Sequence, residues 1–360
     1  MSQPADRGLA AVPAAGAAPA VAAPAVAGIR PVAPPAGPGR AASPAGRDAV
    51  APVQPGDATR GLLLGVLGVV IFAMTVPMTR LAVGDSAAPA LTPAFVTAGR
   101  AAVAGLLSVA YLLWLRAPWP ARRHWGALAV SALGTVVGFP MFLALALRHV
   151  DAMHAAVVTG VLPLATAAVA AVALRQRPSA GFWACAVAGC ALVLGFAAWQ
   201  GSGRLVPADG LLLLSVLSAA TGYVAGARVS VVLPAQQVIC WVLVLSLPLV
   251  LPVSLQLWPA HPGTVSAGAW LGFGYVSLFS MWLGFFAWYR GLALGGVMRV
   301  SQVQLVQPFL ALLFAVPVLG ERLDPVTLAF AGAVVAVVFI GRRMPVRTGA
   351  LAAATRRGGG

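Results

Sequence analysis

The sequence predicts an all-α integral membrane protein whose ten transmembrane helices form two inverted five-helix repeats. Three observations carry that expectation. Of the 360 residues, 60% are hydrophobic and only 9% are charged, against roughly 25% charged in a soluble domain. Between residues 61 and 341 the apolar runs divide into ten pieces of about the 20 residues a helix needs to cross hydrocarbon. The third is an internal echo. Residues 138–177, GFPMFLALALRHVDAMHAAVVTGVLPLATAAVAAVALRQR, align on Pro163 with residues 284–322, GFFAWYRGLALGGVMRVSQVQLVQPFLALLFAVPVLGER, on Pro308.

Residues 1–60 open the chain as an Ala/Pro-rich stretch with no apolar period. Dense proline and little apolar surface predict a disordered cytoplasmic tail, and prolines interrupt every candidate signal-peptide core. Spans follow near 61–83, 91–115, 125–147, 152–174 and 179–199, which make a first repeat over 61–200. The next five, near 209–228, 235–255, 267–290, 297–319 and 325–341, make a second over 205–341. Residues 342–360 form a short Gly/Arg-rich cytoplasmic tail.

Charge sets the direction of these spans. All 23 basic residues are arginine, and the formal net charge is +15. In a soluble chain that balance suggests nucleic acid. Here the arginines punctuate apolar runs, so membrane topology is the better reading and no nucleic-acid partner is expected. If the first span starts inside, Arg116, Arg122, Arg123, Arg175, Arg177, Arg228, Arg290 and Arg299 fall in inner loops, against Arg80, Arg148, Arg204 and Arg322 in outer ones. Arg342, Arg343 and Arg347 place the C-terminus inside too. Asp85, Asp151, Asp209, Glu321 and Asp324 all lie in outer loops. The expectation is a multi-pass protein of the plasma membrane with both termini cytoplasmic. Five spans per copy is an odd number, so the copies enter the bilayer from opposite sides. Inverted repeats with proline-broken helices are a mark of secondary transporters working by alternating access.

Polar groups in hydrocarbon are costly and tend to face a cavity or another helix. In the ninth span Ser301, Gln304 and Gln307 recur on one face, with Gln302 close by, and Pro308 frees a backbone carbonyl one turn earlier. The fourth span carries Thr159, Pro163 and Thr166 on the matching face. Lining of a cavity and interhelical hydrogen bonding both fit these stripes. Arg100 lies deep in the second span. It is a candidate to neutralise a substrate carboxylate, and equally one to bond neighbouring carbonyls or snorkel outward. Asp151 and His154 are a candidate proton site, with N-capping by Asp151 as the alternative. Tyr223 and Trp282 sit deep enough to stack on a solute, whereas Trp270, Trp288 and Tyr289 read as an interfacial belt. Gly134/Gly138 and Gly222/Gly226 suggest close helix contacts.

Absences narrow the class. No Asp or Glu falls within a span, and no Walker A loop, HExxH or GxSxG motif occurs. Cysteines 185, 190 and 240 lack metal spacing. Neither an enzyme, a metal site nor a cofactor is expected.

With these residues in place, the chain resembles the drug/metabolite transporter superfamily, specifically proteins with two EamA-type domains. The resemblance covers about residues 61–341. It rests on the five-plus-five spans, on Arg100, and on the closing block GGVMRVSQVQLVQPFLALLFAVPVLGERLDP with Pro308 and Gly320-Glu321. The first copy departs from the pattern, with Arg175-Gln176-Arg177 where Gly320-Glu321-Arg322 stands in the second. The resemblance implies a central cavity among spans one, three, four, six, eight and nine, which brings Thr75, Thr159, Tyr223, Trp282 and Gln304 into consideration. It also implies efflux of a small neutral, zwitterionic or weakly acidic metabolite, amino-acid or drug-like. The bilayer and a small-molecule substrate are the expected partners, and a homodimer is left open. A lipid-handling flippase or a non-transporting membrane partner is the alternative.

Overall fold

The computed structural model describes residues 55–173, 177–200, 205–230, 232–295, 301–344 and 346–347. Among the described residues, eight helices are long and apolar enough to cross a membrane. They are α1 (Thr59–Val83), α2 (Pro93–Trp114), α3 (Arg122–Ala146), α4 (Ala152–Ala173), α5 (Ala180–Gln200), α6 (Pro207–Val229), α7 (Gln236–Gln256) and α8 (Ala267–Gly291). Two shorter apolar helices, α9 (Val303–Leu319) and α10 (Pro325–Gly341), complete the bundle. Beyond the helices the described residues hold one two-residue antiparallel pairing, Arg177–Pro178 with Val346–Arg347. Helical structure begins at Pro55, inside the stretch expected to be tail. The rest of that tail, Arg175, Gln176, Arg204 and Arg299 lie outside the described residues.

The helices break where a side chain or an extra residue disturbs the i→i−4 ladder, and the breaks come in matching pairs. α4 divides into Ala152–Thr159 and Leu162–Ala173, with Pro163 in the first turn of the second piece. In the second copy a 3₁₀ turn over Ser301–Val306 gives way to Gln307–Leu319, with Pro308 in the corresponding place. Pro163 and Pro308 have no N–H, so the carbonyls of Thr159 and Gln304 lose their usual helical donor. α3 carries a π-helical stretch over Ala132–Gly138, and α8 carries one over Val276–Leu283. Such stretches are rare and collect at functional sites.

Close packing follows small residues. The glycines of α3 meet those of α6: a Cβ on Gly134 would lie 2.4 Å from the Ser218 carbonyl, and one on Gly222 would lie 2.7 Å from Thr135. The two helices thus cross backbone to backbone. Phe95, Leu143, Phe196, Leu212 and Leu312 are fully buried in one cluster. Against lipid, such burial stabilises through packing density more than through exclusion of water.

Asp85, Asp151, Asp209, Glu321 and Asp324 gather at one end of the bundle. Arg80, near the end of α1, donates to the carbonyls of Leu147 and Val150 beyond α3. It lies 3.7 Å from Asp85 and 4.0 Å from Asp151. Gln200 at the end of α5 meets Thr327 at the start of α10 at 3.4 Å. Arg116, Arg122, Arg123 and Arg228 sit at the opposite ends of their helices.

Candidate functional site

The π-helical stretches and the broken helices converge on a cavity of about 310 Å³. From the first half, Phe72, Thr75, Arg100, Ser131, Thr135, Phe139 and Thr159 line it; from the second, Tyr223, Ser280, Phe285, Trp288, Tyr289, Gln304 and Gln307 do. Toward the arginine-rich end its wall continues through Ala227, Ser230 and Val238. No residue of the acidic cluster lines it.

At its centre is a short polar chain. Thr75 starts the second part of α1, just past a turn at Met74, and its Oγ1 bonds Ser280 Oγ at 2.8 Å. Arg100 Nη2 donates to the same Ser280 oxygen at 3.0 Å and approaches Met281 Sδ at 3.7 Å. Arg100 is only 2% exposed, and its Nε and Nη1 have no partner among the described residues. The hydroxyls of Thr135 and Thr159 bond carbonyls of their own helices at 2.7 Å, which satisfies them.

The sequence-selected residues divide. Thr75, Arg100, Thr159, Tyr223, Gln304 and Gln307 meet at the cavity. Pro163 and Pro308 shape backbone; Pro308 Cγ lies 3.3 Å from where a Cβ on Gly160 would be, so α4 and α9 pack at their breaks. The Ser301 side chain lies outside the described residues. Trp282 is absent from the lining and packs edge-on against Tyr111 and Phe286, its buried Nε1 without a partner among the described residues. The π-helical stretch explains this, since one inserted residue rotates the rest of the helix by about 100°.

Sequence reasoning missed Thr135, Ser280, Trp288 and Tyr289. The i,i+4 pair Ser131/Thr135 and the serines at 277 and 280 were the available signals. Trp288, read as an interfacial belt residue, is 8% exposed and faces the cavity.

The Asp151–His154 pairing is replaced by another. Asp151 is exposed, with no side-chain cap bond. His154 Nε2 instead meets Asp209 Oδ1 of α6 at 2.7 Å, both side chains buried. Asp209 Oδ2 also accepts from Val206 N, closing its own helix start. The start of α4 is capped from afar. Glu321 accepts from Ala152 N at 2.6 Å and Met153 N at 2.8 Å. Burial raises the Glu321 carboxyl above its ordinary range, against the opposing pull of those two N–H groups.

A second groove, of about 410 Å³, is lined by Trp119, Trp125, Trp241, Leu245, Leu251 and other apolar residues. It has no charged group in its wall and shares no residue with the central cavity.

Comparison with known proteins agrees with this architecture. The profile of the EamA-like transporter family matches residues 59–197 and again 206–341. "Uncharacterized transporter YdeK" of Bacillus subtilis (strain 168) is 45% identical over 285 residues, covering 79% of this chain and 98% of that protein. A solved crystal structure aligns with 78% of this chain and 96% of its own at TM-score 0.53 and 20% identity, a likeness of fold alone.

Proposed function

The chain belongs to the EamA-like transporter family, and from that premise we propose that it is a secondary carrier exporting a small neutral, zwitterionic or weakly acidic metabolite by alternating access. The observation that carries this is the cavity itself. It is polar at its centre, apolar around it, and built from both halves of the chain, as a carrier whose halves move against each other requires. Its size is at the lower end of small-molecule sites, roughly 300–1,000 Å³.

In this reading the ten apolar helices all span, the halves are inverted repeats, and both termini are cytoplasmic in the plasma membrane. The paired irregularities in α3/α8 and α4/α9 support the repeat. The segregation of acids from arginines supports the orientation. The conformation is one closed at the acidic end, where Arg80 and Glu321 tie α1, α4 and the turn after α9 together. A flippase would need a polar groove facing lipid, and the second groove is apolar. The carrier reading is tested by comparing metabolites in the medium of cells with and without overproduced protein, and by flux in proteoliposomes. Equal profiles together with no flux of any candidate would sink it.

A further inference from the structure

We infer that the solute of the central cavity is a small organic monocarboxylate, whose carboxylate pairs with the unfilled donors of Arg100 while its apolar body lies among Phe72, Phe285, Trp288 and Tyr289. This rests on the carrier reading.

Arg100 is a permanent cation, 2% exposed, with one nitrogen bonded and two without partners among the described residues. An arginine held as structural glue shares its donors among carbonyls or carboxylates; this one bonds, through one nitrogen, a hydroxyl and a weakly accepting thioether sulfur. Ser280, itself tied to Thr75, fixes one corner of the guanidinium and leaves the rest free to a ligand. No Asp or Glu lines the cavity, and none pairs with Arg100 among the described residues. A buried charge without a counter-charge is strongly unfavourable, so the solute is the natural source of the missing anion. A single cation, with otherwise neutral hydroxyls, amides and two phenols, matches one negative charge. A dianion would bring a second charge with no partner, and an ammonium group would find no carboxylate. The four aromatic rings give the class its apolar body.

The test uses the purified full-length protein in detergent and follows thermal unfolding. The probes are benzoate, indole-3-acetate, the neutral indole-3-acetamide, the cationic tryptamine, and sodium chloride at matched ionic strength. The expected result is a saturable rise in Tm with at least one carboxylate, with none from the amide, amine or chloride. Arg100→Met should abolish that rise and weaken carboxylate affinity roughly tenfold or more. It should also leave the unliganded Tm unchanged or raised, because it removes an unpaired buried charge. A wild type stabilised by neither carboxylate, or equally by the amide or chloride, overturns the inference. So does a lowered unliganded Tm in Arg100→Met with the carboxylate response intact. Proteoliposome flux separates the two readings. Transport that prefers the amide leaves the carrier standing and removes the carboxylate; carboxylate binding without flux of any solute does the reverse.

Discussion

Glu321 caps a helix that begins far away in sequence: its carboxylate accepts a 2.6 Å hydrogen bond from the backbone N–H of Ala152. A second, from Met153, completes the cap. The first four N–H groups of any helix lack internal partners and carry positive potential. An anion from the other half of the chain therefore joins the halves as well as finishing α4. Asp151, at the usual capping position, makes no side-chain cap bond.

The cap gives stability a pH signature. Because burial raises the Glu321 carboxyl above 4.5, the folded chain holds this proton more tightly than the unfolded one. Its contribution is then full below 4.5 and lost as pH rises through the folded value. Asp85, held low chiefly by the Ala88 N–H, and Asp324, held low chiefly by the Thr327 hydroxyl, act oppositely, below 3.8. They are common to both proteins. Glu321→Gln should therefore lose less Tm than wild type between pH 4 and pH 7, as thermal unfolding in detergent would measure.

The buried pair His154–Asp209 should be sensitive to loss of either member. Removing one partner of such a pair costs roughly 3–5 kcal/mol, whereas a change at an exposed site stays within about 0.5 kcal/mol. Asp209→Asn should thus lower Tm markedly and Asp151→Asn hardly at all. Equal effects would place the partner wrongly.

These pairings explain what the sequence could and could not reveal. The apolar runs gave away the helices because about 20 hydrocarbon-compatible residues have few alternatives. Arg100 and Gln304 stood out because polar groups in such runs are conspicuous, whereas Thr75 came into view only through the family resemblance. Asp209, expected in an outer loop, lies buried in the first turn of α6, and it was hidden as a partner because nothing local ties it to a histidine 55 residues earlier. Trp282 pointed the wrong way because a π-helical stretch is set by tertiary packing, and it shifts every face after it.

The crossing of α3 and α6 leaves no room for side chains. Gly222→Leu would drive carbon into Thr135 and the Gly134 backbone, each already within 3.1 Å of a Cβ. A cost of about 1–3 kcal/mol is expected from overpacking, seen as reduced folded yield and a lower Tm. Gly274→Ala, with nothing within 4 Å of its Cβ position, should behave like wild type.

Trp282 separates lining from packing. Its Nε1 is buried without a partner among the described residues, so Trp282→Phe removes an unsatisfied donor at the expense of some packing area. Transport should be unchanged at equal membrane abundance, as an export assay with quantified protein would establish.

Gln304 lines the cavity where the carbonyl freed by Pro308 also lies. The most direct measurement is the metabolite profile of the medium from cells making wild type or Gln304→Leu at matched membrane abundance. At least one metabolite should be enriched by the wild type and returned to control level by Gln304→Leu. Export by Gln304→Leu equal to wild type would contradict the cavity as the solute's path.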